Sequence, residues 1–163
     1  MIPLCISFDW KDSYTMLRNS LTTDPILIIE DDPDDQYLME RILRRLRVDS
    51  ELVFFTNGKE ALEYLRTTDR STFLIFCDIN LPLMNGLELR ARICDDECLR
   101  RKSIPFVFIS TAANHADIAL AYEMTVQGFF QKENTIEEME HTVETIIGYW
   151  SKCKHPNRWA AKT

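Results

Sequence analysis

Short apolar runs alternate with longer stretches of helical periodicity along most of the chain, from residue 25 onward. Each run has the length and the β-branched or aromatic composition of a buried strand. The five predicted strands are residues 25–29, 51–56, 72–77, 104–110 and 128–131. The run at 72–77 is apolar throughout after Thr72, so we expect that strand to lie in the middle of a sheet.

The stretches between these runs carry apolar residues three and four positions apart, which predicts amphipathic helices. The predicted helices are residues 33–46, 59–66, 86 to about 99, 114–123 and 135 to about 150. Five β-α units in this order predict an α/β fold, in which a doubly wound, five-stranded parallel sheet carries helices on both faces and right-handed crossovers.

The alternation predicts one domain at residues 25–150, with a short segment on either side. Residues 1–24 show no clear period. They are either an extra segment packed on the domain or an overextended start, with Met16 as an alternative initiator. Residues 151–163 are weakly basic and Pro156 stops a helix, so we expect a solvated tail.

Composition narrows the class of protein. The chain has 163 residues, of which 45% are hydrophobic and 28% charged, as is ordinary for a globular domain. Its formal charge of −7 argues against a nucleic-acid-binding surface, which normally needs clustered Lys and Arg. No apolar run approaches the roughly 18 residues of a membrane span, and no signal-peptide pattern opens the chain. We therefore expect no nucleic-acid partner and no membrane partner.

Cysteine usage indicates a reducing compartment. The odd number of cysteines and their irregular spacing favour free thiols and a cytoplasmic location. Cys94 and Cys98 would share one face of a predicted helix, but no further metal ligand stands near them in the sequence. We expect both to be packing or surface residues. The five cysteines are Cys5, Cys77, Cys94, Cys98 and Cys153.

Polar side chains stand at the ends of four predicted strands. Glu30 and Asp31 follow the first strand, Asp78 follows the third, Ser110 ends the fourth and Lys132 follows the fifth. Ligands of doubly wound sheets bind at the carboxyl ends of the strands, so we expect these side chains to meet. The three carboxylates among them predict a Mg²⁺ site.

The acids that follow Asp31 have a structural explanation. Pro33 suits the first position of a helix, and Asp32 before it suits the N-cap. Asp34 and Asp35 then lie in the first helical turn, where the helix dipole favours negative charge.

Four segments at these strand ends are similar to motifs of one known family. They are "ILIIEDD" (26–32), "FCDINLPLMNGLEL" (76–89), "IPFVFISTA" (104–112) and "GFFQK" (128–132). In this order they resemble the receiver domain of two-component response regulators, over residues 25 to about 150. Any one segment is weak evidence, whereas four at successive strand ends are specific. The resemblance implies a flavodoxin-like sheet with strand order 2-1-3-4-5.

The resemblance implies a phosphoacceptor and a metal site. Asp78 matches the aspartate that accepts a phosphoryl group from the phosphohistidine of a histidine kinase. Glu30 and Asp31 match the acidic pair that holds Mg²⁺, Asp31 directly and Glu30 through water. Asn80 matches the residue whose backbone carbonyl completes the metal's shell.

Three more residues match positions of the family's switch. Ser110 stands at the switch Ser or Thr, Lys132 at the invariant lysine, and Phe129 at the aromatic residue that moves inward on activation. In such a protein Asp78 is the nucleophile, while Mg²⁺ and Lys132 neutralise charge on the transferring phosphoryl group. The Ser110 hydroxyl binds the modified state and shifts a loop equilibrium. This implies a phosphoacceptor with at most slow self-dephosphorylation, and not an enzyme.

Two positions depart from the family pattern. Receivers usually follow the invariant lysine with proline across a cis bond, whereas this chain has Glu133. Either the loop runs differently here or packing sustains a cis bond that costs about 2.5–4 kcal/mol. Ala112 stands where fast-cycling relatives carry an amide or acid, which predicts a long-lived phosphoryl group.

The expected partners are a histidine kinase, or a hybrid kinase or phosphotransfer protein, and an unidentified downstream protein. No output domain follows the receiver-like region, so we expect a single-domain regulator that signals by a changed surface or by phosphorelay.

Tyr149 and Trp150 resemble the aromatic pair of receivers that work with phytochrome-like kinases. Trp150 either packs on the core or covers a homodimer contact. A run of arginines lies towards the end of the first predicted helix. It forms either a solvated helix face or a surface that binds a kinase. The run comprises Arg41, Arg44, Arg45 and Arg47.

Two other functions compete with this one. A receiver-like adaptor that is never phosphorylated would keep the fold without the chemistry. A Mg²⁺-dependent phosphohydrolase would need a second acid two positions after its nucleophile, where this chain has Asn80.

Overall fold

Five strands and six helices make up the described part of the protein, residues 23–111 and 114–155 of a computed structural model. Three predictions concern parts of the chain outside these ranges. Those parts are residues 1–22, Ala112 and the tail beyond His155. The strands are β1 (Ile26–Ile29), β2 (Leu52–Phe55), β3 (Leu74–Cys77), β4 (Phe106–Ser110) and β5 (Gly128–Gln131). The helices are α1 (Pro33–Arg45), α2 (Gly58–Thr67), α3 (Gly86–Asp95), α4 (Glu97–Arg101), α5 (His115–Glu123) and α6 (Ile136–Lys152).

The strands form one parallel sheet in the order β2-β1-β3-β4-β5, which confirms the predicted fold class and strand order. The register aligns the carboxyl ends of the strands, since Ile29 pairs with both Phe55 and Cys77. Cys77 in turn pairs with Phe108 on β4. The residue that follows β1 is therefore a direct neighbour of the residue that follows β3.

The core has two layers, one on each face of the sheet. Successive residues of a strand point to opposite faces, so Ile26 and Ile28 pack with α1 and α6. Leu27 and Ile29 pack with the opposite group, which includes α2, α3 and α5. The strands β1, β3 and β4 are buried throughout, as the unbroken apolar runs predicted.

Side-chain caps set where the helices begin. The carboxylate of Asp32 accepts a hydrogen bond from the Asp34 backbone N–H at 2.8 Å, so the predicted N-cap of α1 is confirmed. Asn85 and Glu88 form a capping box at the start of α3. In the described part of the chain, no helix combines the length and the apolar character needed to cross a bilayer.

The single helix predicted from residue 86 to about 99 is wrong, because the chain breaks at Asp96. Asp96 adopts an extended conformation, and its side chain accepts hydrogen bonds from the backbone N–H groups of Cys98 and Leu99, which starts α4. Cys94 therefore does not share a helix face with Cys98. Its thiol donates to the Met124 carbonyl at 3.3 Å, while Cys98 is exposed.

The expected solvated tail is wrong for Ser151 and His155, both of which are buried. The helix α6 continues to Lys152, and the chain then returns to the domain. The His155 ring lies 5.8 Å from the Phe73 ring and 5.6 Å from the Trp150 ring, so an aromatic cluster shields it. Trp150 is partly buried against the core, which favours the packing alternative for this residue.

Candidate functional site

The ends of β1 and β3 bring three carboxylates together. Glu30 and Asp31 follow β1, and Asp78 follows β3, where its backbone N–H donates to the Ile29 carbonyl at 2.9 Å. Each carboxylate offers an oxygen, and these oxygens lie within 4.8 Å of one another. Glu30 and Asp78 are each 7% exposed, whereas Asp31 is open to solvent. The clustering that the strand-end rule predicted is present.

Asp78 is held from two sides at the centre of this cluster. Its Oδ1 accepts hydrogen bonds from the Ser110 hydroxyl at 2.5 Å and from the Ile79 backbone N–H at 2.7 Å. Its Oδ2 lies 3.3 Å from the Lys132 ammonium. The Oδ2 atom is thus the less engaged of the two carboxylate oxygens.

Lys132 reaches across the strand ends to three carboxylates. Its Nζ donates to Glu30 at 2.6 Å and to Asp35 at 2.7 Å, both shorter than its contact with Asp78. Burial lowers the pKa of Lys132, but hydrogen bonds to Asp35 and Glu30 outweigh this, and the pKa lies above its ordinary value. The side chain therefore presents a permanent positive charge beside Asp78.

Burial has the largest effect on the pKa of Glu30. Desolvation raises the pKa of the Glu30 carboxyl, and the hydrogen bond and the charge of Lys132 offset this only in part. The nearby charge of Asp78 raises the same pKa further. A second cation would relieve the excess of negative charge that the three carboxylates create.

A cleft of about 710 Å³ opens beside Ser110. Asn80 lines it from the loop after β3, and Phe129 from β5. The Phe129 ring is half-buried and lies 5.6 Å from the Phe108 ring. The structure thus places the proposed switch residues around one cleft, and their roles remain predictions.

The loop after Lys132 does not follow the pattern expected from the family. No peptide bond is cis within residues 23–111 and 114–155, so Lys132 joins Glu133 through a trans bond. This favours the alternative in which the loop runs differently. The Lys132 backbone N–H donates to the Ser110 carbonyl at 3.0 Å, which continues the pairing of β5 with β4.

The sequence analysis missed two residues that contact this cluster. Asp35 was explained by the helix dipole alone, yet it is a partner of Lys132. Gln36 donates from its side chain to the Glu30 backbone carbonyl at 2.6 Å. The one available signal was that the first turn of α1 holds more acids than a helix start needs.

Several other polar residues lie away from the cluster or support the fold. His115 and His141 are exposed on helices. Arg45 pairs with Glu140 at 3.0 Å between α1 and α6, and Arg44 donates to the Val48 carbonyl. The arginine run is therefore partly committed to contacts within the domain.

The chain belongs to the response regulator receiver family. The family model described as "Response regulator receiver domain" matches residues 26–144, and the fold and the cluster of acids at the ends of β1 and β3 agree with that match. The predicted family is confirmed.

The chain is similar to two other response regulators, Rcp1 and RcpA. The chain is 29% identical over 130 residues to response regulator Rcp1 of Synechocystis sp., which covers 77% of this chain and 87% of Rcp1. The crystal structure of the phosphorylated cyanobacterial phytochrome response regulator RcpA superposes with a TM-score of 0.75 and 31% identity, covering 83% of this chain and 99% of RcpA. The Mn²⁺-bound form of Rcp1 superposes with a TM-score of 0.72 and 28% identity, covering 82% and 99%.

Proposed function

We propose that this protein accepts a phosphoryl group on Asp78 from the phosphohistidine of a histidine kinase, or of a hybrid kinase or phosphotransfer protein. The observation that carries the proposal is the setting of Asp78. Its carboxylate lies at the end of a central strand, between the Ser110 hydroxyl and the Lys132 ammonium, within a cluster of three acids. Similarity to the phosphorylated RcpA supports it.

In the proposed transfer, a carboxylate oxygen of Asp78 attacks the phosphorus atom of the phosphohistidine. The P–N bond breaks, and its electron pair stays with the imidazole of the donor. Lys132 neutralises part of the charge that spreads over the phosphoryl oxygens, because its ammonium already lies beside Asp78. The protein's contribution is positioning and charge, which suits a phosphoacceptor and not an enzyme with turnover.

The donor set fits a divalent cation. Three carboxylate oxygens within 4.8 Å are ligands of the kind that Mg²⁺ takes together with water and phosphoryl oxygens. We infer that Glu30, Asp31 and Asp78 hold Mg²⁺, with the Asn80 carbonyl as a further ligand. When bound, the ion neutralises charge on the phosphoryl oxygens. The Mn²⁺-bound form of the similar Rcp1 supports this assignment.

Ser110 and Phe129 would convert phosphorylation into a changed surface. The Ser110 hydroxyl donates to Asp78 in the present state, and a phosphoryl oxygen offers it a new acceptor. Movement of Ser110 would alter the cleft that Phe129 lines, and a downstream protein would bind the altered surface. The free thiols of Cys77, Cys94, Cys98 and Cys153 are consistent with a cytoplasmic location.

The direct test is to incubate the full chain with Mg²⁺ and acetyl phosphate and to measure its intact mass. We expect one phosphoryl group per chain, none without Mg²⁺ and none on the Asp78→Asn variant. A chain that takes up no phosphoryl group with Mg²⁺ present would support the adaptor function instead. Release of many equivalents of phosphate per chain would support a phosphohydrolase.

A further inference from the structure

We propose that Asp35 is a positioning residue, which keeps the Lys132 ammonium beside Asp78 while a cation occupies the carboxylate cluster. The proposal deepens the proposed function and rests on it for its catalytic meaning. It begins from one contact: the Asp35 carboxylate lies 2.7 Å from Lys132 Nζ, although Asp35 stands on α1 and Lys132 follows β5. The two residues are 97 positions apart in the chain.

The Lys132 side chain is only 14% exposed, but the residue lines a cavity of about 130 Å³, so packing around it is incomplete. Glu133 stands where receivers usually carry a proline, and its bond to Lys132 is trans, so the loop also lacks the constraint of a proline ring. The position of the ammonium therefore depends on the carboxylates at its tip. Apolar residues that line the cavity are Ile28, Leu38, Met39, Ile109 and Met139.

Two of those carboxylates cannot serve the lysine and a metal ion equally well. Glu30 and Asp78 contact Lys132, and with Asp31 they also form the carboxylate cluster. An ammonium and a divalent cation repel each other and compete for the same oxygens. Of the three described carboxylates that contact Lys132, Asp35 alone is not a member of the cluster. It can hold the ammonium when the cluster is filled.

The neighbouring residue provides a matched control. Asp34 lies in the same first turn of α1, carries the same charge and is exposed. Its side chain has no salt bridge within the described residues. Asp34→Asn therefore removes the same charge from the same helix end as Asp35→Asn and leaves Lys132 untouched. A difference between the two variants reports the contact with Lys132.

The test is calorimetric titration of the full chain with Mg²⁺, in wild type and in both asparagine variants. We expect Asp35→Asn to weaken Mg²⁺ binding about 10-fold more than Asp34→Asn, because an unanchored ammonium competes for Glu30 and Asp78. Asp35→Glu, which keeps the carboxylate, should recover most of the loss. Equal dissociation constants for the two asparagine variants would overturn the proposal.

A double-mutant cycle shows whether the effect passes through Lys132. In a Lys132→Met background, or Lys132→Gln if that variant does not fold, the two asparagine substitutions should weaken Mg²⁺ binding equally, to within about twofold. An excess effect of Asp35→Asn that persists without Lys132 would also overturn the proposal. Failure of the proposed function would be seen in a different measurement. A wild-type chain that binds Mg²⁺ but takes up no phosphoryl group would refute the proposed function, and the Mg²⁺ affinities of the variants would still test the role of Asp35.

Discussion

At the scale of single residues, the site combines burial with charge of both signs. Glu30 and Asp78 are carboxylates on a nearly closed surface, where an unpaired charge is costly. Lys132 offsets part of that cost through contacts of 2.6 and 3.3 Å. One ammonium faces several carboxylates, so the cluster keeps a negative excess. That negative excess favours the binding of a cation.

The hydrogen bond between Ser110 and Asp78 leads to a prediction about switching. Ser110→Ala removes the hydroxyl that contacts Asp78 at 2.5 Å but leaves Lys132 and the carboxylate cluster in place. We expect the variant to be phosphorylated by acetyl phosphate, yet to lose the change around Phe129 that follows in wild type. Phenylalanine ring resonances in NMR spectra, with and without donor, measure this. The same resonance shifts in the variant as in wild type would refute the role of Ser110.

At the scale of elements, the site depends on how closely α3 approaches β3. A Cβ atom added to Gly86, at the start of α3, would lie 2.2 Å from the Asp78 backbone carbonyl. No side chain fits there without moving the segment that carries Asp78. The glycine in "LMNG" thus connects the start of α3 with the position of Asp78, the proposed phosphoacceptor. Gly148 in α6, in contrast, would meet no atom within 4 Å.

Substitution by alanine should change the stability of the fold in opposite directions at these two glycines. Gly86→Ala should destabilise the fold by about 1–3 kcal/mol through overpacking, and it should weaken Mg²⁺ binding by displacing Asp78. Gly148→Ala should stabilise it by about 0.5–1 kcal/mol, since alanine is the better helix former and nothing obstructs its methyl group. Urea unfolding of both variants measures the change. A tolerated Gly86→Ala would mean that α3 lies farther from Asp78 than the structure shows.

At the scale of the whole molecule, the proposed cation binding would be linked to folding. The carboxylates of the cluster come from the ends of β1 and β3, so they meet only in the folded chain. A ligand that binds the folded state alone stabilises it by mass action. We therefore expect the proposed metal site also to stabilise the domain.

This linkage predicts a Mg²⁺-dependent free energy of unfolding. At a Mg²⁺ concentration 100 times the dissociation constant, we expect a gain of about 2.7 kcal/mol in urea unfolding. Asp31→Asn, at an exposed member of the cluster, should abolish most of the gain. Asp32→Asn is the matched control, because asparagine also serves as an N-cap and Asp32 is outside the cluster. Equal gains in both variants would contradict the assigned site.

The local sequence pattern was sufficient to predict most of the strands and helices and much of the site. Apolar runs and helical spacing predicted the five strands, their parallel arrangement and the start of α1 at Asp32, because burial periodicity and capping are short-range properties. The strand-end rule then brought Glu30, Asp31, Asp78, Ser110 and Lys132 together. Local pattern failed at Asp96, where a side chain stops one helix and starts another. An apolar stripe that continues past such a residue hides the break.

The sequence by itself determined the fold class, the family and the residues that gather at the carboxyl ends of the strands. Only the tertiary structure decided how Lys132 divides its contacts among Glu30, Asp35 and Asp78, and which way the loop through Glu133 runs. It also decided that His155 is buried against Phe73. The residues at the end of a strand can be predicted from the periodicity of that one segment. The contacts of Lys132 and His155, in contrast, join residues that are far apart in the sequence, and packing across the whole domain sets the distances between them.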